Sequence, residues 1–296
     1  MGKYAIGVDV GGTWIRAALV NDKMEVLKKT TAKTMDFTDV KHFLDTLNLM
    51  IDEVDEMKIA NQIGMVIPTP WKDDMTYFKD VTNVSFLEEV AIEEVKNRFP
   101  EHTIFFENDV NVIALLESEI AGRKSYDSLM YITISTGIGS GLVINGKLWQ
   151  GAQGYAGEVG NIIISEKNKE SFTALEDICS GLALDGLAKK TYGNYATAEK
   201  LFDEWKKNNE LAVDMIDSWI ETFSDAIASL MHVINPEVFI LGGSVIINNK
   251  WLINEIIEKT KPKLFENLRE YLNIELSHYE GNSGVLGAAQ LCFSQK

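Results

Sequence analysis

The chain contains few cysteines, histidines and prolines. Its two cysteines, Cys179 and Cys292, are far apart in a sequence of 296 residues, so we expect no disulfide framework. The four histidines are scattered, and no pair has the spacing of zinc ligands. The composition therefore excludes a disulfide-stabilised domain and does not support a structural zinc site.

Basic residues are outnumbered by acidic ones, 28 to 44, which gives a formal net charge of −16. A surface of this sign repels phosphate backbones, so nucleic acid is not expected as a partner. No run approaches the roughly 20 apolar residues of a membrane span. The apolar start of the chain is interrupted at Asp9, which is too early for a signal peptide. We expect a cytoplasmic protein, with enough apolar residues (46%) to build a core.

Two segments of the sequence resemble each other. Residues 4–24 (YAIGVDVGGTWIRAALVNDKM) align without gaps with residues 128–148 (SLMYITISTGIGSGLVINGKL) at an offset of 124, which places Asp9 on Thr133. Both segments have the pattern of a strand, a Gly-rich turn, a second strand and a polar turn. Either two hairpins are alike by chance, or the chain contains two α/β lobes built on the same plan.

Helical periodicity fills the intervals between the predicted strands. Apolar residues recur at helical spacing over 38–57, 86–98, 109–121 and 210–234, and EVFILGGS predicts a buried strand that ends in a Gly pair. The segment SGVLGAAQLCF predicts a short, closely packed helix. We place one lobe at 1–108 together with 285–296, and the other at 109–284.

Two Gly-rich turns are candidate phosphate sites. Glycines let backbone N–H groups approach phosphate oxygens, and the first turn contains Gly11 and Gly12 after Asp9. A carboxylate there suits Mg²⁺ rather than phosphate itself. The alternative is an ordinary hairpin. The second turn, 135–141, is no Walker loop, because no Gly-Lys-Ser/Thr follows it.

Three further places in the sequence could contact a substrate or a nucleotide. Asp109 begins a predicted helix after the strand HTIFF, where an Asp is either a helix cap or a general base that the helix dipole keeps ionised. Glu158 and Asn161 lie among glycines, followed by Glu176, and suit either a polyol or a solvated loop. The Gly pair at 242–243 could provide a flat surface for adenine.

Together these motifs resemble the ROK family of bacterial and archaeal sugar kinases and sugar-responsive repressors. The segments DVGGTWIRAALV, ENDVNVIALLE, TISTGIGSGLVINGKLWQGAQGYAGEVGN, EDICSG, NPEVFILGGS and GVLGAAQL occur in the family's order over nearly the whole chain. The resemblance implies an internally duplicated α/β fold of the two-lobed, actin-like (RNase H-like) sugar-kinase type, with ATP and Mg²⁺ as cofactors and a homodimer or tetramer as the assembly.

The resemblance also implies roles for individual residues. Asp109 matches the base that activates the sugar 6-hydroxyl. Sugar-binding positions are matched by Asn83, Asn108, Asp109, Glu158, Asn161 and Glu176. Phosphate, Mg²⁺ and nucleotide positions are matched by Asp9, Gly11, Gly12, Thr13, Thr136, Gly137, Gly242 and Gly243, with Asp9 as the Mg²⁺ residue, acting through water.

Two departures from the family pattern bear on the substrate. Family members commonly have a histidine where this chain has Asn161, followed by a zinc-binding cysteine cluster, and no cysteine lies between Asn161 and Glu176. We therefore expect no zinc. Because Asn can both donate and accept hydrogen bonds, an N-acyl group at C2 becomes acceptable. Thr69 replaces a glycine between two prolines and is expected to change the shape of the sugar-side wall.

The sequence thus favours an ATP-dependent hexose or N-acylhexosamine 6-kinase, with N-acetylmannosamine slightly ahead of glucose. A repressor would need a DNA-binding domain before the first strand, which here begins by Tyr4. A sugar sensor without catalysis would not need Asp109. An actin-like ATPase would not need Glu158 and Glu176.

Overall fold

The computed structural model describes residues 3–120, 122–168, 171–279 and 281–294. The strands are β1 (Tyr4–Val10), β2 (Trp14–Asn21), β3 (Val26–Lys33), β4 (Gln62–Ile67), β5 (Thr103–Asn108), β6 (Ser128–Ile134), β7 (Ile138–Ile144), β8 (Lys147–Leu148), β9 (Ile163–Asn168), β10 (Ser171–Ala174), β11 (Val238–Gly242) and β12 (Ile274–Leu276). The helices are α1 (Val40–Val54), α2 (Ile92–Arg98), α3 (Asp109–Ser118), α4 (Leu175–Cys179), α5 (Gly181–Tyr192), α6 (Ala198–Lys206), α7 (Glu210–Val233), α8 (Ser244–Asn248), α9 (Leu252–Thr260) and α10 (Ser283–Ser294). Short 3₁₀ turns occupy Thr34–Asp36, Ser85–Leu87, Val159–Asn161, Lys261–Lys263 and Glu266–Tyr271.

The first sheet has the strand order β3-β2-β1-β4-β5. Strands β1, β2 and β3 pair antiparallel, whereas β4 is parallel to both β1 and β5. The three parallel strands therefore end at one edge of the sheet. Across them Asp9 lies level with Val66, and Val66 lies level with Glu107. This edge brings the ends of β1 and β5, which carry predicted site residues, within about 10 Å of each other, since strands are about 4.8 Å apart.

The second sheet repeats this plan in the order β8-β7-β6-β11-β12. Strands β6 and β7 pair antiparallel, and β11 is parallel to both β6 and β12. Strand β6 (Ser128–Ile134) lies 124 residues after β1 (Tyr4–Val10), which is the offset of the sequence repeat. The expected α/β fold with an internal duplication is confirmed.

The two hairpins differ in the length of their turns. In the first, Val10 pairs with Ile15, so residues 11–14 form the turn. In the second, Ile134 pairs with Ile138, so only residues 135–137 do. After the turn at 135–137, the ungapped alignment therefore differs by one residue from the alignment that strand pairing gives. A sequence comparison does not show which residues pair across a hairpin.

The chain divides into two compact units. The first comprises residues 1–123, 147–156 and 279–296, and the second comprises 124–146 and 157–278. The sequence placed the division after residue 108, whereas contacts place α3 in the first unit. The physical reason is that α3 packs against α10, where Gly287 leaves room for Val112; a Cβ on Gly287 would lie 2.7 Å from Val112 Cγ2.

Helix α10 lies unusually close to the first sheet because glycines on β1 and β4 face it. A Cβ on Gly7 would lie 2.0 Å from the carbonyl oxygen of Val285, and a Cβ on Gly64 would lie 1.7 Å from that of Ala288. Real Cβ atoms do not approach this closely. The small residues of α10 and these two strand glycines therefore form one close-packed layer.

Each unit has its own apolar core. In the first, Phe43 and Leu47 of α1 pack with Ile6, Met65 and other residues of the sheet. In the second, α7 contributes a buried stripe against β6 and β11. Among the helices in the described ranges, none combines the length and the apolar character that crossing a bilayer requires.

Candidate active site

The Gly-rich turn of the first unit is held from two sides. The amide of Gly11 donates to the carbonyl oxygen of Trp14 at 3.1 Å, and Thr34 Oγ1 donates to the carbonyl oxygen of Gly11 at 2.5 Å. A Cβ on Gly12 would lie 2.6 Å from Asn83 Cβ. The predicted phosphate turn and Asn83, which was predicted on the sugar side, are thus direct neighbours, and only glycine fits at position 12.

Asp9, the predicted Mg²⁺ residue, is bound by an arginine that the sequence analysis did not single out. Asp9 on β1 and Arg16 on β2 are cross-strand partners, with Oδ2 and Nη1 3.0 Å apart. Burial raises the pKa of Asp9, while the charge and the hydrogen bond of Arg16 act against this rise. Gly284 in the first turn of α10 leaves room for the carboxylate, since a Cβ there would lie 2.5 Å from Asp9 Cγ. Arg16 could have been found from the pairing register of the first hairpin, which places it opposite Asp9. That register depends on the length of the turn, which the sequence does not show.

The residues around Asp9 suit a Mg²⁺ ion that keeps most of its waters better than a metal ion held entirely by protein ligands. No group of three or more His, Cys, Asp or Glu side chains that could hold a metal occurs in the parts of the chain described here. Mg²⁺ usually keeps several waters and binds to one or two carboxylates plus substrate phosphates. A single carboxylate beside a Gly-rich turn has this character.

At the end of β5, the helix cap is made by Asn108 and not by Asp109. Asn108 Oδ1 accepts from the amides of Val110 at 2.9 Å and Asn111 at 3.2 Å, and Asn108 Nδ2 donates to the carbonyl oxygen of Thr69 at 3.1 Å. Asp109 is the first residue of α3 and is half-buried; its Oδ1 accepts from the Val110 amide at 3.1 Å. The cap interpretation of Asp109 is therefore wrong, and its carboxylate lies at the positive end of the helix dipole.

Thr69, which the sequence analysis expected to change the shape of the sugar-side wall, makes its hydrogen bonds inside the first unit. Its side chain is buried, and its hydroxyl donates to the carbonyl oxygen of Lys79 at 2.5 Å. The hydroxyl is used inside the protein to fasten the segment around Lys79, and the backbone carbonyl of Thr69 holds Asn108. Thr69 therefore holds the side chain that caps α3.

In the second unit, the turn at 135–137 lies against Glu176. Glu176 Oε2 accepts from the amide of Ile138 at 2.6 Å, and a Cβ on Gly137 would lie 2.5 Å from the same oxygen. The start of α5 closes the other side of the turn, where the amide of Gly181 donates to the carbonyl oxygen of Ser135 at 2.7 Å. The motif EDICSG is thus the segment that packs onto the second turn.

The segment around Glu158 is fixed to β7 by glycines. Gly157 has a positive φ of 93° and lies so close to Ser140 that a Cβ would meet its carbonyl oxygen at 2.8 Å. Asn161 Nδ2 donates to Glu158 Oε2 at 3.4 Å. Burial raises the pKa of Glu158, the Asn161 hydrogen bond lowers it, and the negative charge of Glu176 raises it. Glu158, Asn161 and Glu176 therefore form one polar group.

A cavity of about 500 Å³ lies beside the Gly pair that ends β11. Gly243 has a φ of 84°, and the amide of Ser244 donates to Ser135 Oγ at 3.1 Å, which joins the Gly pair to the second turn. The cavity is lined by Ser135, Thr136, Gly181, Leu182, Asp185, Ala198, Glu199, Phe202, Asp203, Lys206, Ser244, Val245, Asn248 and Asn249. The residues of α5, α6 and α8 in this lining were not predicted, because no local motif marks them.

Comparisons with known proteins identify the family of the chain. The model of the ROK family matches residues 5–295. The chain is 26% identical over 312 residues to the glucokinase of Thermotoga maritima, covering 97% of this chain and 96% of that protein. It is 25% identical over 301 residues to the N-acetyl-D-glucosamine kinase of Haemophilus influenzae, covering 96% and 98%.

The crystal structure of a ROK family glucokinase from Streptomyces griseus in complex with glucose and AMPPNP superimposes with a TM-score of 0.78. It is 23% identical in sequence, and the match covers 97% of this chain and 98% of that one. The chain therefore belongs to the ROK family and has the actin-like ATPase fold of that family's sugar kinases.

Proposed function

We propose that the protein is a sugar kinase that transfers the γ-phosphoryl group of ATP to the 6-hydroxyl of a hexose or N-acylhexosamine. The observation that carries this proposal is the start of α3. Because Asn108 caps the helix, the carboxylate of Asp109 is placed at the end of a parallel strand without being the cap. That is where α/β proteins bind ligands, and a positioned base contributes on the order of 10²–10⁴ in rate.

In this mechanism Asp109 accepts the proton of the 6-hydroxyl as its oxygen attacks the γ-phosphorus, and the bond to the β,γ-bridging oxygen of ATP breaks. Asp9 would hold Mg²⁺ through water, and Mg²⁺ supplies positive charge to the phosphate oxygens. The Gly-rich turns at 11–13 and 135–137 present backbone amides to the phosphates. Positioning and electrostatics do most of the work in such a transfer.

Glu158, Asn161 and Glu176 are proposed to bind the sugar, together with Asn83 and Asn108. Asn161 is exposed and uses its Nδ2 on Glu158, so its Oδ1 suits an amide N–H at C2 of the sugar. This favours an N-acylhexosamine, and we place N-acetylmannosamine first. Glucose is the alternative within the same class. Relatives that are named as kinases of glucose and of N-acetylglucosamine support this range of substrates.

The cavity beside Gly243 is proposed to hold the nucleoside of ATP. Its volume of about 500 Å³ is in the range of cofactor sites, and the second turn forms one of its walls. The relative crystallised with AMPPNP, an ATP analogue, supports ATP as the donor.

The test is a coupled assay of ADP release with Mg-ATP and glucose, mannose, N-acetylglucosamine, N-acetylmannosamine or no sugar. We expect turnover that depends on a sugar, strongest with N-acetylmannosamine. The variant Asp109→Asn should bind sugar but lose most turnover, whereas Asp217→Asn, an exposed change of the same kind on α7, should not. Equal ADP release in every well would identify an ATPase. Sugar binding without turnover in the wild type would identify a sensor.

A further inference from the structure

Glu107, two residues before the proposed base, is a buried acid that accepts three hydrogen bonds. Its Oε1 accepts from the amide of Asn108 at 2.9 Å and from Asn111 Nδ2 at 2.9 Å. Its Oε2 accepts from Gln150 Nε2 at 2.6 Å. Glu107 is only 4% exposed, so its carboxylate reaches these donors and little solvent.

Gln150 belongs to the loop after β8, residues 149–156, which is part of the first unit and is fastened to the rest of that unit at several points. Lys72 Nζ donates to the carbonyl oxygen of Ala152 at 2.8 Å, and the Tyr155 hydroxyl is hydrogen-bonded to the carboxylate of Asp80. The loop ends immediately before the segment that carries Glu158. Glu107 is thus the point at which the start of α3 and this loop are joined.

This arrangement is costly for the fold. Burial raises the pKa of Glu107 to about 7, the negative charge of Asp73 adds to the rise, and the three hydrogen-bond donors only partly oppose it. These donors are all neutral amides. An apolar residue of similar size would be less costly to bury, since burying a charge without an opposite charge is unfavourable. Buried, perturbed carboxyls concentrate at functional sites.

We propose that Glu107 is a positioning residue for phosphoryl transfer, which rests on the proposed function. Through Asn108 and Asn111 it fixes the first turn of α3, which carries Asp109, and through Gln150 it fixes loop 149–156 relative to that turn. Its hydrogen bonds, more than its charge, perform this role. A displacement of about 1 Å at a reacting group can reduce the rate about 10²-fold.

The contact between Glu107 and Gln150 can be tested by exchanging the two side chains. All variants are compared at about pH 9, where Glu107, with its pKa of about 7, has lost the proton that it could otherwise share. Under these conditions Gln150→Glu places a second carboxylate against Glu107, which breaks the contact and lowers kcat on the order of 10²-fold. In the double variant Glu107→Gln/Gln150→Glu, the amide oxygen introduced at position 107 still accepts from Asn108 and Asn111, and the amide nitrogen beside it donates to the carboxylate introduced at position 150. All three hydrogen bonds are kept, so kcat returns to near the wild-type value. Glu107→Gln alone has a small effect, because Gln150 can rotate its amide to present its oxygen.

The matched control is Gln153→Glu, the same change at an exposed position of the same loop, which leaves kcat unchanged. All rates are measured at saturating sugar and ATP, well below the unfolding temperature of each variant, so that a residue needed only for folding has no effect on kcat. The proposal is overturned if Gln150→Glu leaves kcat unchanged, or if the double variant has a kcat as low as that of Gln150→Glu alone.

Failure of the proposed function would appear differently, as wild-type protein without sugar-dependent turnover. In that case amide hydrogen exchange decides the structural part of the proposal. Gln150→Glu must speed exchange in residues 149–156 and the double variant must restore it. If neither happens, Glu107 does not hold the loop and the inference is wrong.

Discussion

Glu107 makes the stability of the protein depend on pH in a direction that can be calculated. Its ordinary pKa is 4.5, and burial raises the pKa to about 7 in the folded state. Between these values the folded protein keeps a proton that the unfolded chain has lost. The stabilisation from this group is therefore complete below pH 4.5 and is lost as pH rises through 7. The difference between the two pKa values corresponds to about 3 kcal/mol.

The perturbation that isolates this effect is Glu107→Gln, which keeps the size of the side chain and removes its titration. Urea unfolding, followed by tryptophan emission, gives the free energy of unfolding of both proteins at several pH values. From pH 5 to pH 8 the variant should gain roughly 2 to 3 kcal/mol relative to the wild type. Glu101→Gln, at an exposed site, should show no such trend. If the wild type and Glu107→Gln change in parallel with pH, Glu107 is not the buried acid described here.

Two further predictions concern packing and metal. Gly64→Ala should cost about 3 kcal/mol or more in unfolding free energy, because its Cβ would lie 1.7 Å from the Ala288 carbonyl oxygen. Gly186→Ala, in α5 with open space around it, should be neutral or stabilising by up to about 1 kcal/mol, and thermal unfolding compares the two. A chelator should abolish turnover until Mg²⁺ is restored, but it should not lower the unfolding temperature in the absence of Mg²⁺. Elemental analysis that finds stoichiometric zinc in the purified protein would contradict this.

The duplicated hairpins were predictable because the alternation of apolar residues and the Gly-rich turns are local properties of the sequence. The repeat placed β6 correctly from β1. It missed the register of β7 by one residue, because the shorter turn at 135–137 depends on which residues pair. The same dependence concealed Arg16, whose pairing with Asp9 follows from the register of the first hairpin.

Contacts in the candidate site were harder to predict from the sequence where the residues that make them are far apart in the chain. Asn and Asp are both good helix caps, so the sequence did not decide between Asn108 and Asp109. The structure decides it through the two amides that Asn108 Oδ1 accepts. Glu107 and Gln150 are remote in sequence and carry no local signal of their contact. Nothing in the sequence indicated that the hydroxyl of Thr69 is buried and donates to the carbonyl oxygen of Lys79.

The two copies of the fold have diverged in the chemistry that surrounds their turns. In the first, the carboxylate of Asp9 is paired with Arg16. In the second, the repeat places Thr133 at the position of Asp9, and a carboxylate reaches the turn from α4 instead, through Glu176. The first unit thus carries the proposed Mg²⁺ residue and the proposed base, and the second carries the cavity and the polar group around Glu158. The residues proposed for the reaction are therefore divided between the two units, and we expect an isolated unit to be inactive even if it folds.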